Sequence, residues 1–220
     1  QNTVRTAVMG PSAKQPDEKE IEAMQRLVIQ CLDEGAGGLS TGLIYPPGSY
    51  SITDELVEIT RPVGKRGGIY FSHVRGEAET LLDAIQEEIT IGKKTGAAIQ
   101  HSHYKAMQPE NWGKALEGLA MIEAACADGL DMHADMYPYT AGSTGLVYLL
   151  PQWAQDGGWK ETMPRLTDRA TRDKMTEDMS SGGVYRAGDW NNLMIASSSN
   201  PVHIGRNVSE LADEAGISPH

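Results

Sequence analysis

The sequence predicts an α/β fold in which buried parallel strands alternate with amphipathic helices. Two observations support this fold. Segments with apolar residues at helical spacing recur along the chain, and a short apolar segment separates each from the next. The strand-like segments begin roughly 30 residues apart, which is typical of βαβ units in a parallel sheet. They are the ranges 37–44, 69–74, 97–104 and 130–137.

The predicted helices have recognisable ends. The first spans 17–34, where apolar positions share one side until Gly35 ends the helix. Thr53 is the predicted N-cap of a helix over 54–66, which Gly67 and Gly68 end. The remaining predicted elements are helices over 77–95, 112–128 and 167–179 and a last strand over 192–197.

The number of strands leaves two architectures open. About five strands are visible, whereas a closed (β/α)8 barrel needs eight strands and typically about 250 residues. The chain has 220 residues. It therefore forms either a small open α/β sheet or an incomplete barrel, and we expect a single domain over 1–220.

Composition excludes several classes of partner. The formal net charge is −11, and no basic segment offers a surface for nucleic acid. No apolar run approaches the roughly 20 residues of a membrane span. Cys31 and Cys126 lie inside helical patterns without CxxC spacing, which predicts reduced thiols in the core. With no secretory leader visible, we expect a cytoplasmic protein without nucleic-acid or membrane partners.

Polar residues gather at the carboxyl ends of three successive strands. Side chains alternate between the faces of a strand, so residues two apart share a face. In parallel α/β folds, ligands bind beyond the carboxyl ends of the strands. The strand ends therefore predict a site. Its candidate residues are His73, Arg75, His103, Lys105, Asp135 and Tyr137.

The two histidines suit a divalent metal such as zinc, because neutral imidazole is the commonest metal ligand in proteins. Arg75 and Lys105 would then bind a substrate carboxylate beside the metal. His101 and His133 lie one step deeper on their strands and are interpreted as buried structural residues.

Other interpretations stay open. Arg75 can instead form an ion pair with Glu77 or Glu79, and Asp135 can brace the turn before Pro138.

Five segments, taken together, resemble the N-acyl-D-amino-acid deacylases, or D-aminoacylases, of the amidohydrolase superfamily. The Tyr-Pro-Pro, Ser-His-x-Arg, Ser-His-x-Lys and Tyr-Pro-Tyr elements carry the resemblance. The segments are GLSTGLIYPPGSY (38–50), GGIYFSHVRGE (67–77), IQHSHYKAM (99–107), NWGKALEGLAMIEAA (111–125) and DMYPYTAGSTGL (135–146).

The resemblance implies a fold and a reaction. The fold is an incomplete (β/α)8 TIM-type barrel made of the central βα units of a metal-dependent amidohydrolase. The reaction is zinc-dependent hydrolysis of N-acyl-D-amino acids, with one or two zinc ions. It implies that His73 and His103 bind metal. It also implies that five residues bind the substrate: Tyr45, Arg75, Lys105, Tyr137 and Ser143.

Other parts of the family pattern have no counterpart in this sequence. The family's first-strand His-x-His, its bridging cysteine, its small β-sandwich and its general-base aspartate would all lie outside the 220 residues. We therefore expect an internal fragment that has no catalytic residue of its own, is inactive alone and self-associates through open strand edges. Another amide-cleaving amidohydrolase, a barrel enzyme with a Schiff-base lysine at Lys105 and a non-catalytic binding protein remain alternatives.

Overall fold

The computed structural model describes residues 1–181 and 190–219. The chain divides into two compact units. The first comprises Gln1–Pro138 with Asp156–Trp159, and the second comprises Tyr139–Gln155 and the residues from Lys160 onward. The prediction of a single domain over 1–220 stays a prediction.

The first unit alternates helices and strands as the sequence predicts. A helix that was not predicted comes first, as α1. The elements are α1 (Asn2–Met9), α2 (Glu18–Asp33), β1 (Gly38–Gly42), α3 (Thr53–Gly64), β2 (Ile69–His73), α4 (Leu81–Thr95), β3 (Ala98–His101), α5 (Lys114–Ala127) and β4 (Met132–Ala134). Short 3₁₀ turns lie at Gly48–Tyr50 and Pro109–Asn111.

Local chemistry sets the helix ends. Asp17 caps α2 by accepting a hydrogen bond from the Glu20 amide, and the Glu20 side chain accepts one from the Asp17 amide in return. Gly96 ends α4 in the left-handed conformation, which glycine adopts without a steric clash because it has no Cβ atom. Thr53 is the first residue of α3 rather than its cap, because Ile52 occupies the capping position.

The four strands form one parallel sheet in the order β1-β2-β3-β4. Gly42 pairs with His73, Ser72 with His101, and His101 with Ala134. One face of the sheet is covered by helices and packed with apolar side chains. Buried strand residues on it include Leu39, Tyr70, Ile99 and Met132. The opposite face is more open, since Phe71 is 40% exposed there. The predicted parallel α/β arrangement is confirmed, and the strands are shorter than predicted.

The second unit is mostly helical in its described part. Its helices are α6 (Gln152–Gln155), α7 (Trp159–Thr167, whose first residue belongs to the first unit), α8 (Arg169–Ser181) and α9 (Val208–Ala215), with 3₁₀ turns at Leu146–Leu149, Trp190–Asn192 and Pro201–His203.

The predicted strand over 192–197 is wrong. Its backbone forms only an isolated antiparallel bridge, Met194 with Asn207. Backbone groups of this range bond to the loop before α9; for example, the Ile195 amide donates to the Arg206 carbonyl at 2.9 Å. The short apolar run therefore has no partner strand among residues 1–181 and 190–219.

The cysteines need one correction. Cys31 and Cys126 are free, as predicted, but both are exposed and neither is a core thiol. Cys31 lies in the last turn of α2, which ends at Asp33, and Cys126 lies in the last turn of α5, which ends at Ala127. Both thiols are therefore at helix ends rather than in the packed middle of a helix. Among the described residues, no helix is long and apolar enough to cross a membrane.

Candidate functional site

His73 and His103 reach the same point from two neighbouring strands, but not by the route that strand alternation predicts. Alternation placed His101 and His103 on one face. His101 instead ends β3 and is fully buried on the helix side of the sheet. His103 lies beyond the strand with a φ of 43°, in the left-handed region. That turn brings its side chain to His73.

Asp135 braces this turn. Its carboxylate accepts a hydrogen bond from the His103 amide at 2.7 Å and another from the Gln100 side chain at 2.8 Å. The bracing interpretation of Asp135 therefore fits the structure, but the turn it braces follows β3 and is not the turn before Pro138.

The two imidazole rings are in direct contact. His73 Nδ1 lies 2.6 Å from His103 Nε2, and the ring centroids are 4.4 Å apart. His73 Nε2 is buried and has no hydrogen-bond partner within the described ranges. Burial, as the main cause, lowers the pKa of His73 to about 4, so its ring is neutral near pH 7. A neutral imidazole with an unused buried nitrogen is a good potential metal donor.

Glu77 completes the group, and the sequence interpretation missed it as a site residue. Its carboxylate lies 2.9 Å from His103 Nδ1 and also contacts the Lys105 ammonium. Burial raises the pKa of Glu77, but hydrogen bonds from His103 and Lys105 and the Lys105 charge outweigh it and hold that pKa below its ordinary value. The sequence did contain a signal, since Glu77 is an acid four residues after His73. From the sequence alone, Glu77 is predicted only as a possible ion-pair partner of Arg75.

The geometry fits a metal ion. One donor atom from each of His73, Glu77 and His103 lies within 4.8 Å of the others. Two imidazole nitrogens and a carboxylate oxygen are ligands that zinc accepts. When Glu77 accepts the Nδ1 proton of His103, Nε2 keeps its lone pair toward His73, the arrangement in which a second partner orients a metal-binding histidine.

Lys105, Tyr137 and Tyr45 surround the histidines. The Lys105 Nζ atom lies 2.9 Å from His103 Nδ1 and 5.3 Å from the centre of the Tyr137 ring. The Tyr45 ring centroid is 5.0 Å from that of His73. The structure thus brings five of the seven predicted site residues together. All five are only partly buried, so the group is accessible from the open side of the sheet.

Gly42 at the end of β1 makes room for Tyr45. A Cβ atom at this position would lie 2.7 Å from Tyr45 Cδ2, closer than side chains pack. Glycine is therefore the residue that lets the ring lie against the strand end.

Arg75 is occupied by protein groups. Its Nε and Nη2 atoms each donate to a different oxygen of Glu87 at 3.1 Å, and it also bonds the carbonyl oxygens of Ser49 and Ser51. Its ion-pair partner is Glu87, rather than Glu77 or Glu79. With four donor contacts to the protein, the guanidinium has little left for a two-pronged bond to a substrate carboxylate.

The remaining predicted residues lie elsewhere. Ser143 is an exposed residue of the second unit, and its substrate role stays a prediction. His101 is buried as predicted, with Nδ1 2.6 Å from a Glu88 carboxylate oxygen. The prediction that His133 is buried is wrong, because its side chain is 69% exposed and pairs with Asp131. Strand β4 is only three residues long, and its side facing away from the helices is uncovered.

Three comparisons define the relatives of this chain. It is 42% identical over 144 residues to an N-acyl-D-glutamate deacylase from Alcaligenes xylosoxydans xylosoxydans, a match that covers 66% of this chain and 30% of that protein. It is 41% identical over 145 residues to a D-aminoacylase from the same organism, with the same shares covered.

The chain also superposes with a TM-score of 0.76 and 27% identity on a crystal structure of N-acyl-D-glutamate deacylase from Bordetella bronchiseptica. That match covers 99% of this chain and 39% of the other. The chain belongs to the D-aminoacylase family of amidohydrolases.

These relatives confirm the resemblance seen in the sequence. No family model matches the chain. The structural match also confirms the fold class, since the parallel sheet and its helices are part of the barrel of this family. The chain spans about a third of the length of the curated family members it matches. The Bordetella bronchiseptica structure is a complex with zinc and a phosphonate inhibitor that mimics the tetrahedral reaction intermediate.

Proposed function

We propose that the complete protein containing these 220 residues hydrolyses the amide bond of N-acyl-D-amino acids, with a zinc ion held by His73 and His103. The observation that carries this proposal is the 2.6 Å approach of His73 Nδ1 to His103 Nε2 at two adjacent strand ends. The relatives named as deacylases, and the zinc in the Bordetella bronchiseptica enzyme, support the same reaction class.

Within this site, we assign Glu77 to orientation. A proton on His103 Nδ1 that is donated to Glu77 would leave Nε2 as the metal donor. Bound zinc would lower the pKa of a water molecule at the site and would polarise the amide carbonyl.

Substrate binding falls to the groups around the histidines. The Lys105 ammonium contacts Glu77 and the His103 carbonyl, and it would exchange such a contact to place its positive charge against the substrate carboxylate. Tyr137 lies beside it. The Tyr45 ring packs beside His73 and would bound the substrate site on that side. Ser143 is proposed to add a hydroxyl contact to the carboxylate. The arrangement of this carboxylate site, the metal and the space for the side chain around the Cα atom would then decide which enantiomer places its amide correctly.

Proton transfer requires a further residue. We propose that the general base is an aspartate outside these 220 residues, as in the family pattern, so that this chain supplies the metal-binding and substrate-binding side of the reaction.

The test is a hydrolysis assay of the complete protein with the N-acetyl D and L forms of glutamate and leucine, before and after chelation and after zinc is added back. We expect turnover of a D substrate, loss with chelator and recovery with zinc. Equal rates on both enantiomers, or rates that chelation does not change, would contradict the proposal. The glutamate and leucine arms separate an acidic from a neutral side-chain preference.

We also propose a cytoplasmic location and self-association. The two free cysteines agree with a reducing compartment. Strands β1 and β4 are the two outer strands of the described sheet, and an unpaired strand edge can bind a second copy. Light scattering of the 220-residue chain tests the second point, and a monomer at micromolar concentration would contradict it.

A further inference from the structure

Arg75 connects a loop of the site to a helix outside it. We propose that Arg75 is a positioning residue: it holds the loop over 45–51 against α4 and thereby keeps Tyr45 beside His73. The consequence for catalysis rests on the function proposed above, whereas the mechanical role does not.

The helix end of this connection is the Glu87 carboxylate of α4. Both carboxylate oxygens of Glu87 in α4 accept from Arg75, at 3.1 Å each, which is the fork geometry that arginine forms with a carboxylate. Thr53, the first residue of α3, donates to the same carboxylate at 2.8 Å. The Glu87 side chain is 10% exposed and the Arg75 side chain 33%, so the contact is partly shielded from water.

The loop end consists of backbone carbonyls. Arg75 Nη1 donates to the Ser49 oxygen at 3.1 Å, and Nη2 donates to the Ser51 oxygen at 2.7 Å. Ser49 lies in the short 3₁₀ turn Gly48–Tyr50 and Ser51 directly follows it, so the guanidinium supplies hydrogen-bond partners to carbonyls at the end of this turn.

The loop carries this constraint to Tyr45. The Ser49 amide donates to the Tyr45 carbonyl at 3.0 Å, and the Tyr45 amide donates to the Gly42 carbonyl at 3.1 Å. Tyr45 is therefore fixed between the end of β1 and the segment that Arg75 holds. Its ring then packs 5.0 Å from His73.

Lysine in place of Arg75 keeps the charge but cannot reach Glu87 and two carbonyls at once. We expect Arg75→Lys, and to a smaller extent Glu87→Gln, to raise amide hydrogen exchange in 45–51 by about tenfold or more, since the local structure opens more easily. The matched control is Arg66→Lys, which alters an exposed ion pair with Asp33 and should leave that exchange unchanged. Unchanged exchange in 45–51 of Arg75→Lys would overturn the proposal.

Kinetics in the complete protein separate positioning from substrate contact. Arg75→Lys should lower kcat/KM by about tenfold or more, because misplacing a site group reduces the productive fraction of complexes. In a Tyr45→Ala background the same substitution should have little further effect. A full additional loss in that background, without any change in loop exchange, would mean that Arg75 binds substrate directly. If the wild-type protein hydrolyses no acyl-amino acid, the proposed function fails, and the exchange experiment still decides the role of Arg75.

Discussion

Replacing His101 by leucine removes one half of a fully buried pair. His101 and Glu88 side chains are 0% and 2% exposed, and Nδ1 of the histidine lies 2.6 Å from a carboxylate oxygen. Were both groups charged, they would attract at that distance by about 6 kcal/mol for an effective dielectric constant of about 20. Removing both charges from water costs several kcal/mol per ion, so the pair as a whole contributes little net stability.

The two single variants should therefore behave differently from the double variant. His101→Leu or Glu88→Leu leaves a buried polar group without its partner and should cost about 3–5 kcal/mol in the free energy of unfolding. The double variant replaces both groups by apolar ones and should recover most of that loss. The control is His133→Leu, which breaks an exposed pair with Asp131 at 2.9 Å and should cost less than about 1 kcal/mol.

The effect of His101→Leu should depend on pH. Burial already raises the pKa of Glu88, and His101 opposes that rise. Without His101, the pKa in the folded state rises further. A carboxyl group with a raised folded-state pKa favours folding below its unfolded-state pKa of about 4.3 and loses that contribution as pH rises through the folded-state value. Urea unfolding should therefore show a larger loss at pH 8 than at pH 5.

Two results would refute this reasoning about the pair. One is a double variant whose loss of unfolding free energy equals the sum of the two single losses, since a partnered pair must couple. The other is a His101→Leu variant no less stable than His133→Leu.

Three further predictions concern the site. Glu77→Gln should weaken zinc binding about 10- to 100-fold in a chelator competition, because Glu77 contacts His103, whereas Glu79→Gln at an exposed position should not. Lys105→Met should reduce kcat/KM for the D substrate about 10- to 100-fold without lowering zinc content, since a charged contact to the substrate carboxylate is lost. Gly42→Ala should raise KM with zinc content unchanged, because the added methyl group displaces the Tyr45 ring; a shift in zinc content instead would contradict the packing argument.

Much of the architecture could be predicted from periodicity. The helices and the four parallel strands depend on apolar spacing and glycine stops, which are local properties of the sequence. The prediction of a strand over 192–197 was wrong because an apolar run becomes a strand only when a partner strand is available. Here the loop before α9 takes its backbone hydrogen bonds.

The sequence selected residue types that suit a site, but it did not predict how the structure arranges them. Strand ends in a parallel fold, together with the family resemblance, selected His73, His103, Lys105 and Tyr137. Alternation could not show the left-handed turn at His103, because that backbone conformation depends on the tertiary contact with Asp135.

Long-range partners were also beyond the sequence. Arg75 is twelve residues from Glu87 and binds loop carbonyls 24 and 26 residues before it, so no local pattern indicates that its donors are occupied. The same holds for Glu77, whose contacts to His103 and Lys105 join two different strand ends.

We propose that His73 and His103 together hold zinc. The most direct measurement is an anomalous difference map at the zinc edge, from crystals of the complete protein. We predict a peak about 2.1 Å from one ring nitrogen of each histidine. Zinc bound at a position that includes neither histidine, or no peak at this pair in crystals of protein that hydrolyses N-acyl-D-amino acids, would contradict the account.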